Sequence, residues 1–274
     1  MMKEIKHSMF RASQALSHLS KATSRSFFGC DEIAKEDAKL QMNELREMLE
    51  ALQARLWAEK KSGLLLILQG LDTAGKDGTV RRVFSGFNPQ GVKVYDFKVP
   101  SAVEMAHDFL WRVHLAVPSR GEIALFNRSH YEDLLVPVVN RSISEAIFAE
   151  RVQSVNEFEA HLARNGFHVV KIFINISKAE QKERLQERID DPSKNWKFDG
   201  SDLITRAHFD DYVRQYARVI ELTDHEHAPW YVVPGDQKWF RDRAVLQIVA
   251  HHLRSLDPKF PPPPKPLDGI VIPD

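Results

Sequence analysis

The stretch Leu64-Leu65-Leu66-Ile67-Leu68-Gln69-Gly70-Leu71-Asp72-Thr73-Ala74-Gly75-Lys76 decides how this chain is read. Five successive large apolar residues describe a strand buried on both faces, as in a parallel sheet. The residues that follow, Gly70 to Lys76, spell Gly-x-x-x-x-Gly-Lys at the end of that strand. This is a phosphate cradle: glycines let backbone N–H groups turn inward on phosphate oxygens, the next helix offers its positive end, and the lysine adds a point charge. The cradle comprises Gly70, Ala74, Gly75, Lys76, Asp77 and Gly78. Two acids depart from the usual pattern. Asp77 stands where a Ser or Thr is expected, and Asp72 sits inside the loop, so carboxylates must carry the metal or base role that a hydroxyl usually shares. A ligand-free glycine turn would need strand, spacing, lysine and helix to coincide by chance.

Working outward, apolar β-rich runs recur at Leu64–Leu68, Val92–Phe97, Ile123–Phe126, Val169–Ile176 and Trp230–Val233, separated by segments long enough for helices. That alternation predicts an α/β protein with a mostly parallel five-stranded sheet and helices on both faces. Crossovers of this kind are right-handed, and ligands collect at the carboxyl ends of the strands. Three regions follow: residues 1–60 as an N-terminal arm and amphipathic helix, 61–257 as the domain that carries the cradle, with a lid near 184–204, and 258–274 as a Pro-rich tail. In the first, Leu45, Met48, Leu49, Leu52 and Leu56 recur at helical spacing, predicting a helix laid against the core or a partner subunit. Pro258 and Pro261 to Pro264 exclude regular structure from the tail, which reads as a surface strap.

Composition narrows the class. The chain has 274 residues, 43% of them hydrophobic, enough for one substantial core. Lys plus Arg and Asp plus Glu both number 38, so a surface that binds anions must be built locally, and bulk charge does not suggest a nucleic-acid binder. The single Cys30 excludes an intrachain disulfide, and no apolar stretch reaches the length of a membrane helix. A reducing, cytoplasmic setting is expected. Ile5 to Cys30 lacks acids, a weak transit-peptide trait, but an ordinary basic arm is the simpler reading.

Past the third strand stands Asn127-Arg128-Ser129-His130-Tyr131-Glu132-Asp133, polar residues emerging where a parallel sheet places its site. Related cradle proteins put a Mg²⁺-holding acid at that strand end, whereas here the first position is Asn127 and the nearest carboxylates are Glu132 and Asp133. Arg128 suits a bidentate grip on phosphate. Helix capping by Asn127 and Ser129 is compatible with such a role. Farther on, Arg184 and Arg188 share a helix face, and Asp190 to Gly200 mixes turn formers, cations and aromatics, including Lys194 and Lys197; that suits a lid closing over phosphates. A solvated face pairing with Glu180 and Glu183 is the bland alternative. Arg81, Arg82, Lys98 and Arg112 could extend an anion-binding groove or simply be exposed. Asp224 to His227 reads as a solvated turn, His251-His252 as partners of a helix dipole, and Trp111, Trp230 and Trp239 as core.

Together, Gly70-Leu-Asp-Thr-Ala-Gly-Lys-Asp-Gly78, Gly86-Phe-Asn-Pro-Gln-Gly91, Phe109-Leu-Trp-Arg-Val-His114 and Phe126-Asn-Arg-Ser-His-Tyr-Glu-Asp133 resemble the polyphosphate kinase 2 family over about Asp31 to Leu256. The Asn-Arg-Ser-His-Tyr-Glu-Asp form is most like class III members, described as phosphorylating nucleoside mono- and diphosphates; other classes tend to carry Asp at the position of Asn127. The resemblance implies a three-layer P-loop kinase-like fold with a lid, in which 61–257 is a P-loop phosphotransferase domain, and implies that Asp72 orients or deprotonates the attacking nucleotide phosphate and, with Glu132, holds Mg²⁺ or Mn²⁺. Lys76 would bind the transferring group, Arg128 would act beside it, and Asn127, Arg128, Glu132 and Asp133 would contact the nucleotide. Arg184, Arg188, Lys194 and Lys197 fall in the family's lid. Implied partners are inorganic polyphosphate, ADP, AMP and ATP, with assembly into a homo-oligomer, dimer or tetramer. The competing readings are an ATP-dependent nucleoside monophosphate or small-molecule kinase, and a non-catalytic nucleotide-binding module.

Overall fold

The computed structural model describes residues 6–270 and 272–273. Its five strands are β1 (Gly63–Gln69), β2 (Val92–Asp96), β3 (Ile123–Asn127), β4 (Phe167–Asn175) and β5 (Trp230–Pro234). Ten helices join and flank them: α1 (Lys35–Glu59), α2 (Lys76–Val83), α3 (Ala102–Met105), α4 (Trp111–His114), α5 (Glu132–Val139), α6 (Glu145–Arg164), α7 (Lys178–Asp190), α8 (Gly200–Ala207), α9 (Phe209–Thr223) and α10 (Lys238–Leu256). The strands run in the order β2-β3-β1-β4-β5, and each neighbouring pair is parallel. All seven residues of β1 are buried, as its unbroken apolar run requires of a central strand. Helix α10 packs on α1 and α2, while α5, α6 and α9 pack on one another, so helices cover the sheet in two groups.

The amphipathic helix is present as α1, which buries Ala38, Met42, Leu49, Leu52 and Leu56. Residues 6–30 do not stand off as the basic arm expected from Ile5 to Cys30, of which Ile5 lies outside the described residues. His7 to Phe10, Ala12 to Gln14 and Leu16 to His18 form short 3₁₀ turns that bury Phe10, Ala12, Ala15 and Leu19, with Ala22, Phe28 and Cys30 beyond them. Alanines and aromatic residues lie between the cations and turn inward, while Ser13, Ser17, Ser20 and Ser26 stay exposed. Asn175 at the end of β4 fastens this strap, donating to Leu19 O (2.6 Å) and Ala22 O (3.0 Å).

His251 and His252 also depart from expectation. His252 Nε2 lies 2.9 Å from the Tyr231 hydroxyl, and the His251 ring stacks on His7 at 3.4 Å. Burial, reinforced by neighbouring His251, His7 and His168, drives the His252 pKa down to about 3. It is therefore neutral and contributes no charge to a helix dipole. Trp230 is fully buried, whereas Trp111 and Trp239 are only partly so. Asp224 caps the tight turn before β5, its Oδ1 accepting from Trp230 N (2.8 Å).

Candidate active site

The cradle hangs from the middle of the sheet. Gly70 leaves β1 at φ +154°, and a Cβ there would lie 2.6 Å from Ile174 O on β4; β1 and the adjoining strand approach too closely for any side chain. Gly75 precedes α2 at φ +103°, and its missing Cβ leaves the space that the Arg241 guanidinium fills. Within the loop, buried Lys76 turns its Nζ onto Gly70 O (2.6 Å) and Leu71 O (3.3 Å). Burial and the nearby Arg128 charge push the Lys76 pKa down, opposed by Asp72, Glu132 and Asp77. An ammonium so poorly solvated gains from any phosphate oxygen brought to it.

Two arginines hold the loop from behind. Arg184 Nη1 donates to Thr73 O (2.9 Å) and Ala74 O (3.1 Å), Nη2 to Gly235 O (2.8 Å) and Asp236 O (3.0 Å), and Nε to Glu180 (2.8 Å). All five guanidinium donors are thus committed to protein acceptors. Arg184 was expected as a phosphate ligand; instead its buried side chain splices the cradle to the segment after β5. Arg241 adds a second bond to Ala74 O (3.1 Å) and is neutralised by Asp242 (2.8 Å), which also accepts from Thr79 and Arg82. Arg82 is therefore part of this frame rather than of an anion groove.

The end of β3 supplies the front of the site. Arg128 adopts φ +60°, a left-handed conformation that costs energy in a non-glycine residue and clusters at functional sites. Its Nη2 donates to Asp72 Oδ1 at 2.6 Å. Asp72, Arg128 and Glu132 line one pocket of about 120 Å³ with Gly70, Tyr212 and Tyr216. Burial raises the Glu132 pKa, with Arg128 and Lys76 pulling the other way. The Gln69 amide, with its nitrogen toward Glu132 Oε1 (2.9 Å) and its oxygen toward Ser129 N (3.2 Å), fixes that carboxylate. Asn127 Nδ2 donates to Asp77 Oδ1 (3.0 Å), tying β3 to α2. Burial alone would raise the Asp77 pKa, but this bond and the charges of Lys197 and Lys76 hold it below the usual carboxylate range.

Not every residue of the motif emerges into the site. His130 and Tyr131 are fully buried, and Tyr131 donates to Glu159 (2.8 Å), which pairs with Lys171 (2.5 Å) beneath α5. Asp133 faces away from Asp72, toward Arg151, whose Nη1 lies 4.0 Å from Asp133 Oδ1; burial raises its pKa against Arg151 and Arg112. The lid cations divide as well. Lys197 reaches Asp77 Oδ2 at 3.6 Å and stands over the Trp196 ring. Arg188 instead binds Asp202 (3.0 Å) and Lys197 O (3.1 Å), and Lys194 binds Glu187 (2.6 Å) and Asp191 (2.7 Å). These two brace the lid internally.

Arg241, Asp242, Asp236, Tyr212 and Tyr216 escaped the sequence reading. One signal was available: Arg241-Asp242-Arg243 stands between apolar Trp239-Phe240 and Ala244-Val245-Leu246, and charges among buried positions demand partners.

The donor set fits a magnesium-type ion. Asp72 and Glu132 present hard oxygens to one pocket, and Asn127 Oδ1 and Thr73 Oγ1 are buried without a hydrogen-bond partner. Among the described residues no group of three or more His, Cys, Asp or Glu could hold a metal alone. Magnesium does not need one, since it is commonly bound by one or two carboxylates with waters and substrate phosphates.

A phosphate cradle on the central strand, an arginine and carboxylates at the adjoining strand end and a cationic lid define a P-loop phosphotransferase. The model of the family "Polyphosphate kinase 2 (PPK2)" matches residues 32–261, and the chain belongs to this family. Among its relatives, the AMP/ADP-polyphosphate phosphotransferase of Meiothermus ruber is 45% identical over 228 residues, 83% of this chain and 85% of that protein. The ADP-polyphosphate phosphotransferase of Rhodopseudomonas palustris is 44% identical, covering 78% of each. The crystal structure of Polyphosphate Kinase 2 from Arthrobacter aurescens TC1 superposes with a TM-score of 0.84 at 41% identity, over 86% of this chain and 84% of that one. Kinases of this family generally depend on a divalent metal. Among the described residues no helix is long and apolar enough to cross a membrane.

Proposed function

We propose that the chain moves the terminal phosphoryl group of inorganic polyphosphate reversibly onto ADP and AMP, as a cytoplasmic homo-oligomer. The observation that carries this reading is the Arg128–Asp72 bond of 2.6 Å across the mouth of a cradle that ends in buried Lys76. It sets a cation and an acid beside the transferring group, which is what a reaction governed by alignment and charge neutralisation asks of a protein. The names of the relatives point to the same donor and acceptors.

In this mechanism the loop N–H groups and Lys76 grip the donor's terminal phosphoryl group. Lys76 exchanges its two carbonyl partners for phosphate oxygens. Asp72, released from Arg128 as the guanidinium turns to phosphate, orients the acceptor's attacking oxygen and takes its proton where one is present. Glu132 sits beside the acceptor, while Lys197 leaves Asp77 to close the lid and exclude water. Mg²⁺ or Mn²⁺, held by Asp72 and Glu132 together with phosphate oxygens, would neutralise charge on the phosphates. Arg188 and Lys194 act by stiffening the lid, and Asn127 by fixing Asp77. Asp77 in place of a metal-binding hydroxyl speaks against a conventional ATP-dependent kinase, and the complete set of charged groups against a mere binding module.

The test is to supply purified protein with Mg²⁺, polyphosphate and either ADP or AMP, and to resolve nucleotides by chromatography, with ATP as a control donor. ATP formed from ADP, and ADP formed from AMP, are the expected products. Transfer from ATP alone would overturn the reading.

A further inference from the structure

The strap at residues 7–30 lies ahead of residues 32–261, those matched to the family, and runs along the edge of the sheet. Arg11 bridges antiparallel to Tyr231 on β5, the last strand in the sheet order, and pairs with Asp224 (3.4 Å). Phe10, fully buried, packs on Phe28 and on Phe240 of α10, with ring centroids 5.1 and 6.1 Å away, and the Arg25 guanidinium lies over the Trp239 ring. From this anchorage three strap carbonyls meet the ends of β4 and β5. Leu19 O and Ala22 O accept from Asn175 Nδ2 (2.6 and 3.0 Å), and Thr23 O accepts from Asp236 N (3.2 Å). Asn175 O in turn accepts from Gly235 N (2.6 Å), while Asp236 Oδ1 accepts from Ser177 N (2.8 Å), at the start of the helix that carries Arg184. Gly235 and Asp236 are the residues whose carbonyls hold Arg184, and Arg184 holds Thr73 and Ala74 of the cradle. An unbroken series of hydrogen bonds thus runs from strap to cradle.

We infer that the strap is a positioning element for the phosphate cradle, with Asn175 as the positioning residue that passes its support through Gly235 and Asp236 to Arg184. The kinetic consequence rests on the transfer proposed above; the placement does not. A guanidinium fixes a loop only as firmly as its own acceptors are fixed, and these acceptors sit in the turn that follows an edge strand. Without the strap, Asn175 Nδ2 and Asp236 N lose their acceptors and that turn its bracing. Alignment carries phosphoryl transfer, so a small displacement of the cradle is costly.

Asn175→Ala removes both side-chain donors to the strap. Two measurements compare it with wild type well below the unfolding temperature: kcat for ADP phosphorylation from polyphosphate, and backbone hydrogen exchange of Gly70 to Gly78 without substrate. Turnover should fall about tenfold, and exchange in the loop should quicken about tenfold. In an Arg184→Lys background, where a lysine cannot span the two pairs of carbonyls, the same Asn175→Ala change should add about twofold or less to either effect, since the link is already cut. Full, multiplicative effects in that background, or a loop whose exchange does not change, would overturn the inference and leave the strap a stabiliser of the fold. If Asn175→Ala does not fold, Phe10→Leu, which loosens the strap where it packs on α10, is carried through the same measurements against the same outcomes. Because exchange needs no substrate, a wild type inert with every polyphosphate removes the proposed function, while the loop data still decide the strap.

Discussion

Arg184 gives the sharpest test, because sequence and structure assign it different work. Replacing it by alanine removes the donor that reaches Thr73 O, Gly235 O and Asp236 O, while Ala74 O keeps Arg241. Each buried carbonyl left without a donor costs about 1–3 kcal/mol, and hydrogen bonds from a charged group stand at the upper end. Partial relaxation lets water reach the Asp236 side, so the total comes to about 4 kcal/mol, which lies in the exceptional range for one substitution. For a domain of this size that lowers Tm by roughly 10 °C. The cradle would also lose its rear support, and a shift of about 1 Å in reacting groups is enough to cost about a hundredfold in rate. Calorimetry or circular dichroism on Arg184→Ala, alongside kcat and KM for polyphosphate, reads both effects. Unfolding at the wild-type temperature with only a raised KM for polyphosphate would refute the clamp and restore a phosphate ligand.

Lys76→Ala should abolish measurable transfer, a loss of at least about a hundredfold, without lowering Tm, since a desolvated ammonium is removed; retained turnover would defeat the mechanism. Asp72→Ala should have the same kinetic outcome by leaving Arg128 and the acceptor unoriented. Lys171→Met strands Glu159 in the core and should cost about 3–5 kcal/mol, with a Lys171→Met/Glu159→Gln double variant recovering part of it in urea titrations. For His252 the sign is fixed by a folded pKa of about 3 against 6.5 unfolded. The unfolded chain takes up a proton that the fold refuses, so stability is full above pH 6.5 and falls as pH drops toward 3. By pH 5 the loss is about 2 kcal/mol. His7, His168 and His251, whose pKa values burial also pushes down, face the same ring and share the effect, while Arg11 adds a fixed positive charge; a His252→Gln protein whose stability keeps the full wild-type slope between pH 8 and 5 would show that these histidines, not His252, carry it.

The sheet and cradle were legible because β1 announces itself twice, by an unbroken apolar run and by the glycines after it. Strand β4 was legible for the same first reason. The Arg128 and Glu132 positions followed from the rule that parallel sheets place ligands at strand ends. What sequence could not show was direction. Arg184 and Arg188 stand four apart on one helix, yet one points under the loop and the other into the lid, and only the carbonyls after β5 determine which. Glu132 and Asp133 are adjacent, so the helix itself must send them apart. The strap at residues 7–30 failed for a different reason: 3₁₀ turns have no long period to detect, and its burial depends on contacts with β4 and α10, far away in the chain.

The central place of β1 also bears on how the molecule is made. Its neighbours are β3 and β4, roughly 60 and 100 residues onward, so the cradle has no scaffold until those distant pairings form. Non-local pairing of this kind is slow. Intermediates that hold only the helices, or a single strand pair, have no fixed turn at Gly70 to Lys76 and nothing with which to grasp a phosphate chain. On the proposed function, polyphosphate would bind the finished fold in preference to its precursors, and a cell rich in that polymer would stabilise the mature protein by mass action.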